Sequence, residues 1–238
     1  MDYFDKSFCI EVWGDFACFT RPEMKVERVS YDVITPSAAR GIFQSIFWKP
    51  AIEWRIEKIE ILNPIKWFSI RRNETAKLMS PQKNGIFIED DNIRQQKSAL
   101  LLREVRYRLH AKQEYIPPSK RIKVIKPLPE YLMEEEEIVL SKKDENPGKY
   151  HAIFERRAKK GKCFSQPYLG CREFSCNFCF VEEGDLKTET IKETRDLGFM
   201  LYDMDYSDPQ NIIPMFFRAV IKDGIIYVPP VESGDVYK

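Results

Sequence analysis

The stretch Ile52-Glu53-Trp54-Arg55-Ile56-Glu57-Lys58-Ile59-Glu60-Ile61 alternates apolar and charged side chains along most of its length. An alternation with a period of two is typical of a β-strand that buries one face and leaves the other in solvent. The alternation slips by one residue at Glu57-Lys58, and such a slip indicates a β-bulge. The stretch therefore predicts a sheet whose inner face packs against a core.

A helix is predicted immediately before this strand, over residues 35–50. Thr35 and Pro36 form a helix start signal, because a threonine side chain caps the first turn and proline fits the first helical position. Pro50 marks the end of the helix. Apolar residues recur at helical spacing between these signals, at Ala39, Ile42, Phe43, Ile46 and Phe47. Further upstream, residues 8–13 alternate again and predict a first strand that ends at Gly14.

The segments after residue 61 continue this mixture of strands and helices. Residues 65–71 and 100–109 predict two strands around a long polar loop, residues 72–97. Residues 115–146 are rich in proline and in blocks of charge, which favours an insertion. Further elements are predicted at residues 147–160 (a basic helix) and at 170–181, 197–203, 215–221 and 225–228 (strands). Asp223-Gly224 predicts a hairpin turn between the last two strands.

The order of these elements predicts an α+β protein. Up to residue 181 the order is strand, helix, strand, strand hairpin, helix, strand. This is the order of a ferredoxin-like (RRM-like) domain, here with an insertion at about residues 115–146. The open sheet of such a domain suits RNA recognition, although the fold alone hosts many functions. Residues 182–238 supply additional strands and are expected to form a C-terminal subdomain.

The composition is that of an ordinary globular protein. The chain has 238 residues, of which 43% are hydrophobic and 32% are charged. No apolar run approaches the ~20 residues of a membrane span. Residues 1–6 lack the basic and apolar regions of a secretory signal. We therefore expect a cytoplasmic protein with no membrane partner.

The six cysteines are expected to be free thiols in a reduced cytoplasm. They are Cys9, Cys18, Cys163, Cys171, Cys176 and Cys179. Cys176 and Cys179 have the spacing of a zinc ligand pair, but residues three apart on a strand point to opposite faces. A second Cys-x-x-Cys is also missing from the sequence. We therefore expect no metal site and no cofactor, and a zinc-dependent nucleic-acid module is the weakest function hypothesis.

The charge is unevenly distributed, although the net charge is only +1. Residues 134–137 are consecutive glutamates, whereas residues 103–112 and 149–162 are basic. A nearly neutral chain with basic faces is typical of a protein that binds nucleic acid locally and contacts protein elsewhere. Scattered solvated faces would produce the same totals, so the charge alone leaves both interpretations open.

The predicted helix start at Asn146-Pro147 places Lys149, Tyr150 and His151 in the first turn. The backbone N–H groups and the helix dipole favour an anion there, which suits a phosphate. Histidine transfers protons near neutral pH, so His151 is either catalytic or a solvent-facing helix residue. At about 100° per residue, Lys149 and His151 point to different sides of an ideal helix. Tyr150 is either catalytic or part of the core.

Further basic residues are candidates for contacts with an RNA backbone. On a predicted strand, Arg106, Arg108 and His110 share one face, which is either an RNA track or an exposed strand face. Arg172 is either a phosphate clamp or an ion-pair partner. The candidate phosphate contacts on the predicted helix are Arg156, Arg157, Lys159 and Lys160.

Five segments of the chain together resemble one known family. They are residues 13–20 (WGDFACFT), 30–42 (SYDVITPSAARGI), 46–50 (IFWKP), 146–157 (NPGKYHAIFERR) and 167–174 (PYLGCREF). In this combination and order, they resemble the Cas-five family of CRISPR-associated proteins, type I-C (Dvulg) subtype. The resemblance covers most of the chain. It implies a ferredoxin-like amino-terminal domain and a smaller C-terminal antiparallel β-sheet.

The resemblance also implies an activity. Family members with this activity are metal-independent endoribonucleases that cut precursor CRISPR RNA at the base of the repeat hairpin. They then stay on the 5′ handle within the surveillance complex, beside its backbone and large subunits. Whether DNA is also bound stays open. The alternative is a catalytically silent RNA-binding and assembly subunit of the same complex.

The active site of this family uses a tyrosine, a lysine and a histidine. The lysine corresponds to Lys149. Phe47 stands at the tyrosine position, and Tyr150 stands where the histidine usually follows, with His151 one residue later. Phe47 is expected to be a core residue at a helix end or a base-stacking surface.

Overall fold

The computed structural model describes residues 5–24, 26–76, 94–117, 146–182, 184, 188–208 and 210–238. The elements in this part of the chain, in order, are β1 (Lys6–Ala17), α1 (Pro36–Ile46), β2 (Ile52–Ile61), β3 (Trp67–Thr75), β4 (Arg94–Tyr115), α2 (Pro147–Lys159), β5 (Asn177–Val181), β6 (Arg195–Asp205), β7 (Ile213–Ile221), β8 (Ile225–Tyr227) and β9 (Val236–Tyr237). Residues 118–145, most of the predicted insertion, lie outside the described residues, as do residues 77–93 of the predicted polar loop.

The main sheet has the order β5-β1-β4-β2-β8, and β3 pairs with the amino-terminal half of β4. All of these pairings are antiparallel. The four strands β5-β1-β4-β2, with α1 after β1 and α2 before β5, form the split βαβ arrangement of a ferredoxin-like domain. A second, three-stranded antiparallel sheet has the order β6-β7-β9. The predicted α+β class with a smaller antiparallel sheet is therefore confirmed.

The predicted bulge in β2 is present and keeps the apolar face of the strand together. The register between β2 and β4 shifts between Ile56 and Lys58. Trp54 and Ile56 before the shift and Ile59 and Ile61 after it are all buried. Without the extra residue, the second half of the strand would turn its isoleucines toward the opposite face.

Both helices pack on the same face of the main sheet. The side chain of Thr35 caps α1 by accepting a hydrogen bond from the Ala38 N–H, and α1 ends at Ile46, four residues before Pro50. Aromatic rings join the layers, because Phe154 of α2 lies 5.7 Å from the ring centroid of Phe43 on α1 and 4.5 Å from that of Trp54 on β2. These contacts fix α2 over the sheet.

Several strands have bounds that differ from the predicted ones, and four of them, β1, β3, β4 and β5, differ most. β1 continues through Gly14 to Ala17, because this glycine admits the side chain of Leu169 rather than ending the strand. β3 and β4 extend into the predicted polar loop by pairing with each other as far as Thr75 and Arg94. The predicted strand over residues 170–181 begins only at Asn177, since a turn with Gly170 at φ +83° precedes it.

The predicted turn between β7 and β8 is present, but the two strands do not form a hairpin. Asp223 and Gly224 both have positive φ, and Lys222 and Ile225 exchange backbone hydrogen bonds. Beyond this turn, β7 pairs with β6 and β9, whereas β8 pairs with β2 in the main sheet. The predicted hairpin is therefore wrong, because tertiary pairing separates its two strands. The division into residues 1–181 and 182–238 stays a prediction.

The second sheet is tied to the ferredoxin-like part by polar contacts. Arg40 on α1 donates two hydrogen bonds, of 2.6 and 2.8 Å, to the carboxylate of Asp203 on β6. The hydroxyl of Tyr31 accepts a hydrogen bond from the Leu201 N–H. None of the helices in the described residues is long and apolar enough to cross a membrane.

Candidate active site

The first turn of α2 begins as predicted but sends its side chains in different directions. Asn146 caps the helix, and its side-chain oxygen accepts a hydrogen bond from the Gly148 N–H at 2.9 Å. Lys149 is exposed, and it makes no side-chain hydrogen bond or ion pair with the residues that the structure describes. Tyr150 and His151 are buried, with 9% and 5% of their surfaces exposed. The predicted separation of Lys149 and His151 around the helix is therefore confirmed.

His151 lies in the core under α2. Its ring makes an edge contact with Phe8 of β1, at 5.9 Å between centroids. Burial lowers the pKa of His151, the charge of Lys6 lowers it further, and Asp5 opposes this effect. The imidazole is consequently neutral near pH 7, which is the form that can accept a proton. The prediction of a solvent-facing His151 as the alternative to catalysis is wrong.

Tyr150 lies between two other aromatic side chains. Its ring is 6.2 Å from Phe47 and is stacked on Tyr115 at 6.4 Å. Phe47, at the position of the family tyrosine, is only 2% exposed and directly follows α1. Phe47 is therefore a core residue at the end of a helix, as one of its two predicted roles required. The other predicted role, a base-stacking surface, needs an exposed ring face that Phe47 does not offer.

The cations of α2 fall into two groups. Arg157 and Lys159 have partners within the protein: Arg157 lies over the Phe47 ring and donates to the Ile46 carbonyl at 3.2 Å, and Lys159 pairs with Glu155 and Glu182. The other group is exposed and has no ion pair among the described residues. It comprises Arg156 and Lys160 together with Lys149, and Arg172 beyond the helix has the same character.

The residues of the predicted basic track on β4 are all paired with carboxylates, and one of them is buried. Arg108 is 2% exposed and donates hydrogen bonds to Glu60 at 2.5 Å and to the Thr188 carbonyl at 2.8 Å. His110 Nε2 lies 2.9 Å from Glu60 Oε1, and Arg106 donates to Glu11 at 2.7 Å. The three side chains share one face, as predicted. The alternative interpretation, an exposed strand face, is wrong because Arg108 is buried.

Glu60 is the centre of this network, and the sequence analysis did not single it out. Burial raises the pKa of Glu60, but hydrogen bonds from His110, Lys58 and Arg108 outweigh that effect, so the pKa lies well below its usual range. Glu60 is a cross-strand neighbour of Arg108 in the β2–β4 ladder. The alternation in β2 predicts that Glu60 lies on the charged face of the strand. Its partner, Arg108, follows only from the register between β2 and β4.

The cysteines do not assemble a metal centre within the described residues. Cys176, just before β5, is buried, whereas Cys179 on β5 is exposed. The described part of the chain also contains no cluster of three or more metal-ligating side chains. The geometry thus gives no support to the zinc hypothesis.

Comparisons with known proteins identify the family. The model of the CRISPR-associated Cas5 family, Cas5d branch, matches residues 7–117 and 119–229. A CRISPR pre-crRNA endoribonuclease Cas5d from Mannheimia succiniciproducens is 43% identical over 95% of this chain and 96% of its own length. A protein of the same name from Thermus thermophilus is 35% identical over 96% of this chain and 94% of its own.

A solved structure supports the fold independently. The crystal structure of a CRISPR-associated protein superposes with a TM-score of 0.67, at 20% identity and with full coverage of both chains. At that identity the similarity concerns the fold alone. The family match and the two curated relatives span almost the whole sequence, and the chain therefore belongs to the Cas5d family of CRISPR-associated proteins.

Proposed function

We propose that this protein is an endoribonuclease that cuts precursor CRISPR RNA within the repeat. The observation that carries the proposal is the 43% identity, over 95% of the chain, to a relative named a pre-crRNA endoribonuclease. The exposed Lys149 in the first turn of α2 agrees with it, since the site combines a free cation with a helix N-terminus.

The reaction we propose needs no metal ion. The 2′-hydroxyl of the RNA attacks the adjacent phosphate, a base removes the hydroxyl proton, and an acid protonates the leaving 5′-oxygen. A cation stabilises the negative charge that builds up on the phosphate. The products are a 2′,3′-cyclic phosphate and a 5′-hydroxyl.

Lys149 is the residue we assign to the phosphate. Its side chain is exposed at the positive end of α2 and has no counter-ion among the described residues, so it is available to an anion. Neutral His151 and the adjacent Tyr150 are the two candidates for proton transfer. His151 faces Lys6 and Asp5 rather than Lys149, so RNA that reaches it would approach from the β1 side of the helix.

The RNA contacts that we propose follow from which cations are free. Lys149, Arg156 and Lys160, here called the α2 cation row, are exposed and unpaired within the described structure, and Arg172 adds a fourth free charge. Arg106 is a secondary candidate because it is half-buried and paired with Glu11. We assign Arg108 and His110 to the internal network instead, and Arg157 and Lys159 to packing and surface ion pairs.

Assembly belongs to the same proposal. After cleavage the protein would remain on the 5′ handle of the CRISPR RNA, beside the backbone and large subunits of a type I-C surveillance complex. The chain carries nearly equal numbers of both charges, 38 Lys and Arg against 37 Asp and Glu, which suits polar contacts with other subunits.

Cleavage in the presence of EDTA tests the activity. The substrate is the cognate repeat RNA, labelled at its 5′ end, and the control carries a 2′-deoxy sugar at the cut site. We expect the RNA to be cut and the control to stay intact. Tight RNA binding without cleavage would contradict the proposed nuclease activity and support the silent assembly subunit. The core position of Phe47 and the separation of Lys149 from His151 would then explain the lack of cleavage.

Variants of α2 test the assignment of roles. Lys149→Gln should slow cleavage by about 100-fold, far more than it weakens RNA binding, because it removes the cation that stabilises the transition state as well as one phosphate contact. Lys162→Gln, at an exposed lysine beyond the helix end, is the matched control. Tyr150→Phe removes only a hydroxyl, so a rate loss in this variant selects Tyr150 over His151 as the proton-transfer residue.

RNA binding tests the α2 cation row. Replacing Arg156 and Lys160 together by glutamine should weaken binding and lower the slope of log affinity against log salt by about two, since two phosphate contacts are lost. Lys159→Gln is the control, because Lys159 is already neutralised by two glutamates. An unchanged slope in the double variant would remove α2 from the RNA interface.

A further inference from the structure

Cys18 and Cys171 meet where the end of β1 contacts the turn before β5. Cys18 directly follows β1 and is 1% exposed, whereas Cys171 is half-buried. The Cys18 N–H donates to the Leu169 carbonyl at 3.1 Å, and Cys171 Sγ lies 3.5 Å from the Cys18 carbonyl oxygen. Cys18 Sγ lies 3.5 Å from Thr20 Oγ1.

The backbone forces this approach. Gly170 has φ +83°, and a Cβ at this position would lie 2.0 Å from the Cys18 carbonyl oxygen. Only glycine allows the turn to pass so close to β1. Main-chain packing therefore holds Cys171 beside the backbone of Cys18.

A guanidinium lies beside one of the two sulfurs. Arg28 Nη1 is 3.7 Å from Cys171 Sγ, and Glu173 holds Arg28 at 3.5 Å and also pairs with Arg72. Interaction with the Cys18 thiol lowers the pKa of Cys171, and the charge of Arg28 lowers it further against the effect of burial. Interaction with Cys171 and burial raise the pKa of Cys18. Cys171 is thus the more acidic of the two thiols.

The remaining cysteines that show a shift are different. Burial raises the pKa of Cys9 and of Cys176 to about 12. Cys179 is exposed, yet its pKa is also raised. Nucleophilic attack requires the thiolate form of a cysteine. Cys179 is the more exposed thiol, but its pKa is raised, whereas the pKa of Cys171 is lowered. We therefore expect Cys171 to be the better nucleophile.

We propose that Cys171 and Cys18 form an oxidisable thiol pair, in which Cys171 reacts with a peroxide and Cys18 resolves the product into a disulfide. The Cys171 thiolate attacks one peroxide oxygen, the O–O bond breaks, and the departing hydroxide takes up a proton to leave as water. Cys18 sulfur then attacks the Cys171 sulfenic acid, the S–O bond breaks, and the hydroxide leaves with the Cys18 proton as a second water. The two thiols lose two electrons and the peroxide gains them.

Alkylation of the unmodified protein is the first test. The full-length reduced protein is treated with a limiting amount of iodoacetamide at pH 7, and labelling is followed by peptide mapping. We expect Cys171 to react at least about tenfold faster than Cys179. Arg28→Gln should reduce that ratio, and Arg71→Gln, at an exposed arginine on β3, is the matched control. Faster labelling of Cys179 than of Cys171 would overturn the proposal.

Peroxide oxidation is the second test. We expect hydrogen peroxide to yield a Cys18–Cys171 peptide pair that has lost two hydrogens and that a reductant separates. In Cys18→Ser, dimedone should instead trap a sulfenic acid on Cys171. The disulfide measurement needs no variant, so it stands even if Cys18→Ser folds poorly. Oxidation that spares Cys171 and modifies other cysteines, or that pairs Cys171 with another cysteine, would contradict the proposal.

Discussion

His151 illustrates how one residue can couple packing to protonation. The imidazole is buried against Phe8, and the folded state therefore disfavours its charged form. The unfolded chain has no such restriction and binds a proton with a pKa of about 6.5. Acid must then shift the equilibrium toward the unfolded state, because that state binds more protons.

We predict that the free energy of unfolding falls as the pH is lowered from 7 to 5. The contribution of His151 is fully present above the unfolded pKa of about 6.5 and is lost progressively below it. Carboxylates titrate mainly below this window. His151→Leu, which fills the site without titrating, should flatten the dependence between pH 7 and 5 in urea unfolding experiments. An equally steep dependence in the variant would assign the effect to another group.

The charged network on the other face of the sheet is centred on the carboxylate of Glu60. Glu60 accepts hydrogen bonds from Arg108 and His110, and the side chains of Glu60 and Arg108 are only 6% and 3% exposed. A buried guanidinium that loses its carboxylate keeps its desolvation cost without the compensating attraction. Glu60 is therefore more important for stability than a surface ion pair would be.

We predict that Glu60→Gln lowers the stability by about 3 kcal/mol in denaturant unfolding. The double variant Glu60→Gln with Arg108→Met should lose less than Glu60→Gln alone, because it also removes the buried Arg108 charge that would otherwise lack its carboxylate. A single variant as stable as the parent, or a double variant much less stable than the single one, would show that the network does not work in this way.

At the scale of elements, the sequence pattern correctly predicted those features that depend only on neighbouring residues in the chain. The helix start at Thr35-Pro36 and the bulge in β2 follow from cap chemistry and from a slipped alternation, and both are present. The extension of β3 and β4 was not predictable, because the paired residues there are mostly polar and their partners lie far apart in sequence. The burial of His151 was missed for a similar reason, since it depends on Phe8 from a distant strand.

The site was predicted in part. The first turn of α2 and the free lysine in it follow from the cap residues alone. Which cations are already paired did not follow, because the partners of Arg108 and Lys159 belong to β2 and to the residue after β5. Charge patterns in a sequence indicate where cations lie, whereas strand register and packing decide which of them are free.

The turn between β7 and β8 allows an element-scale test. Gly224 has φ +76°, and a Cβ there would lie 2.3 Å from the Ile191 carbonyl oxygen. Gly161, after α2, has φ +60° but open space around it. We predict that Gly161→Ala costs about 1 kcal/mol of stability, from backbone strain alone, and that Gly224→Ala costs about 3 kcal/mol because a clash is added. Equal losses, measured by thermal or denaturant unfolding, would show that the turn relaxes freely.

At the scale of the whole molecule, the main sheet depends on β8. Its residues pair with Lys58, Ile59 and Glu60 of β2, and the Ile61 N–H donates to the Gly224 carbonyl. Residues 182–238 therefore complete the main sheet and supply all three strands of the other. A fragment that lacks them would leave the edge of β2 unpaired.

We predict that a fragment of residues 1–181 aggregates or lacks a cooperative unfolding transition. A chain shortened only to residue 234, which removes β9 but retains β8, should keep a cooperative transition with a lower midpoint. Size-exclusion chromatography and calorimetry distinguish these outcomes. A monomeric, cooperatively unfolding fragment of residues 1–181 would instead support an independent domain that ends there.

The late position of β8 in the chain also determines when the main sheet can be completed during synthesis. The ribosome completes β2 early, but the strand that covers its edge follows only after β3 to β7 have been made. During translation, at roughly 5–20 residues per second, the nascent chain carries an unfinished sheet whose edge can pair with a neighbouring chain. Folding of the main sheet is thus a late event, and the yield of this protein in a cell depends on how well the growing chain is shielded until residues 225–227 emerge.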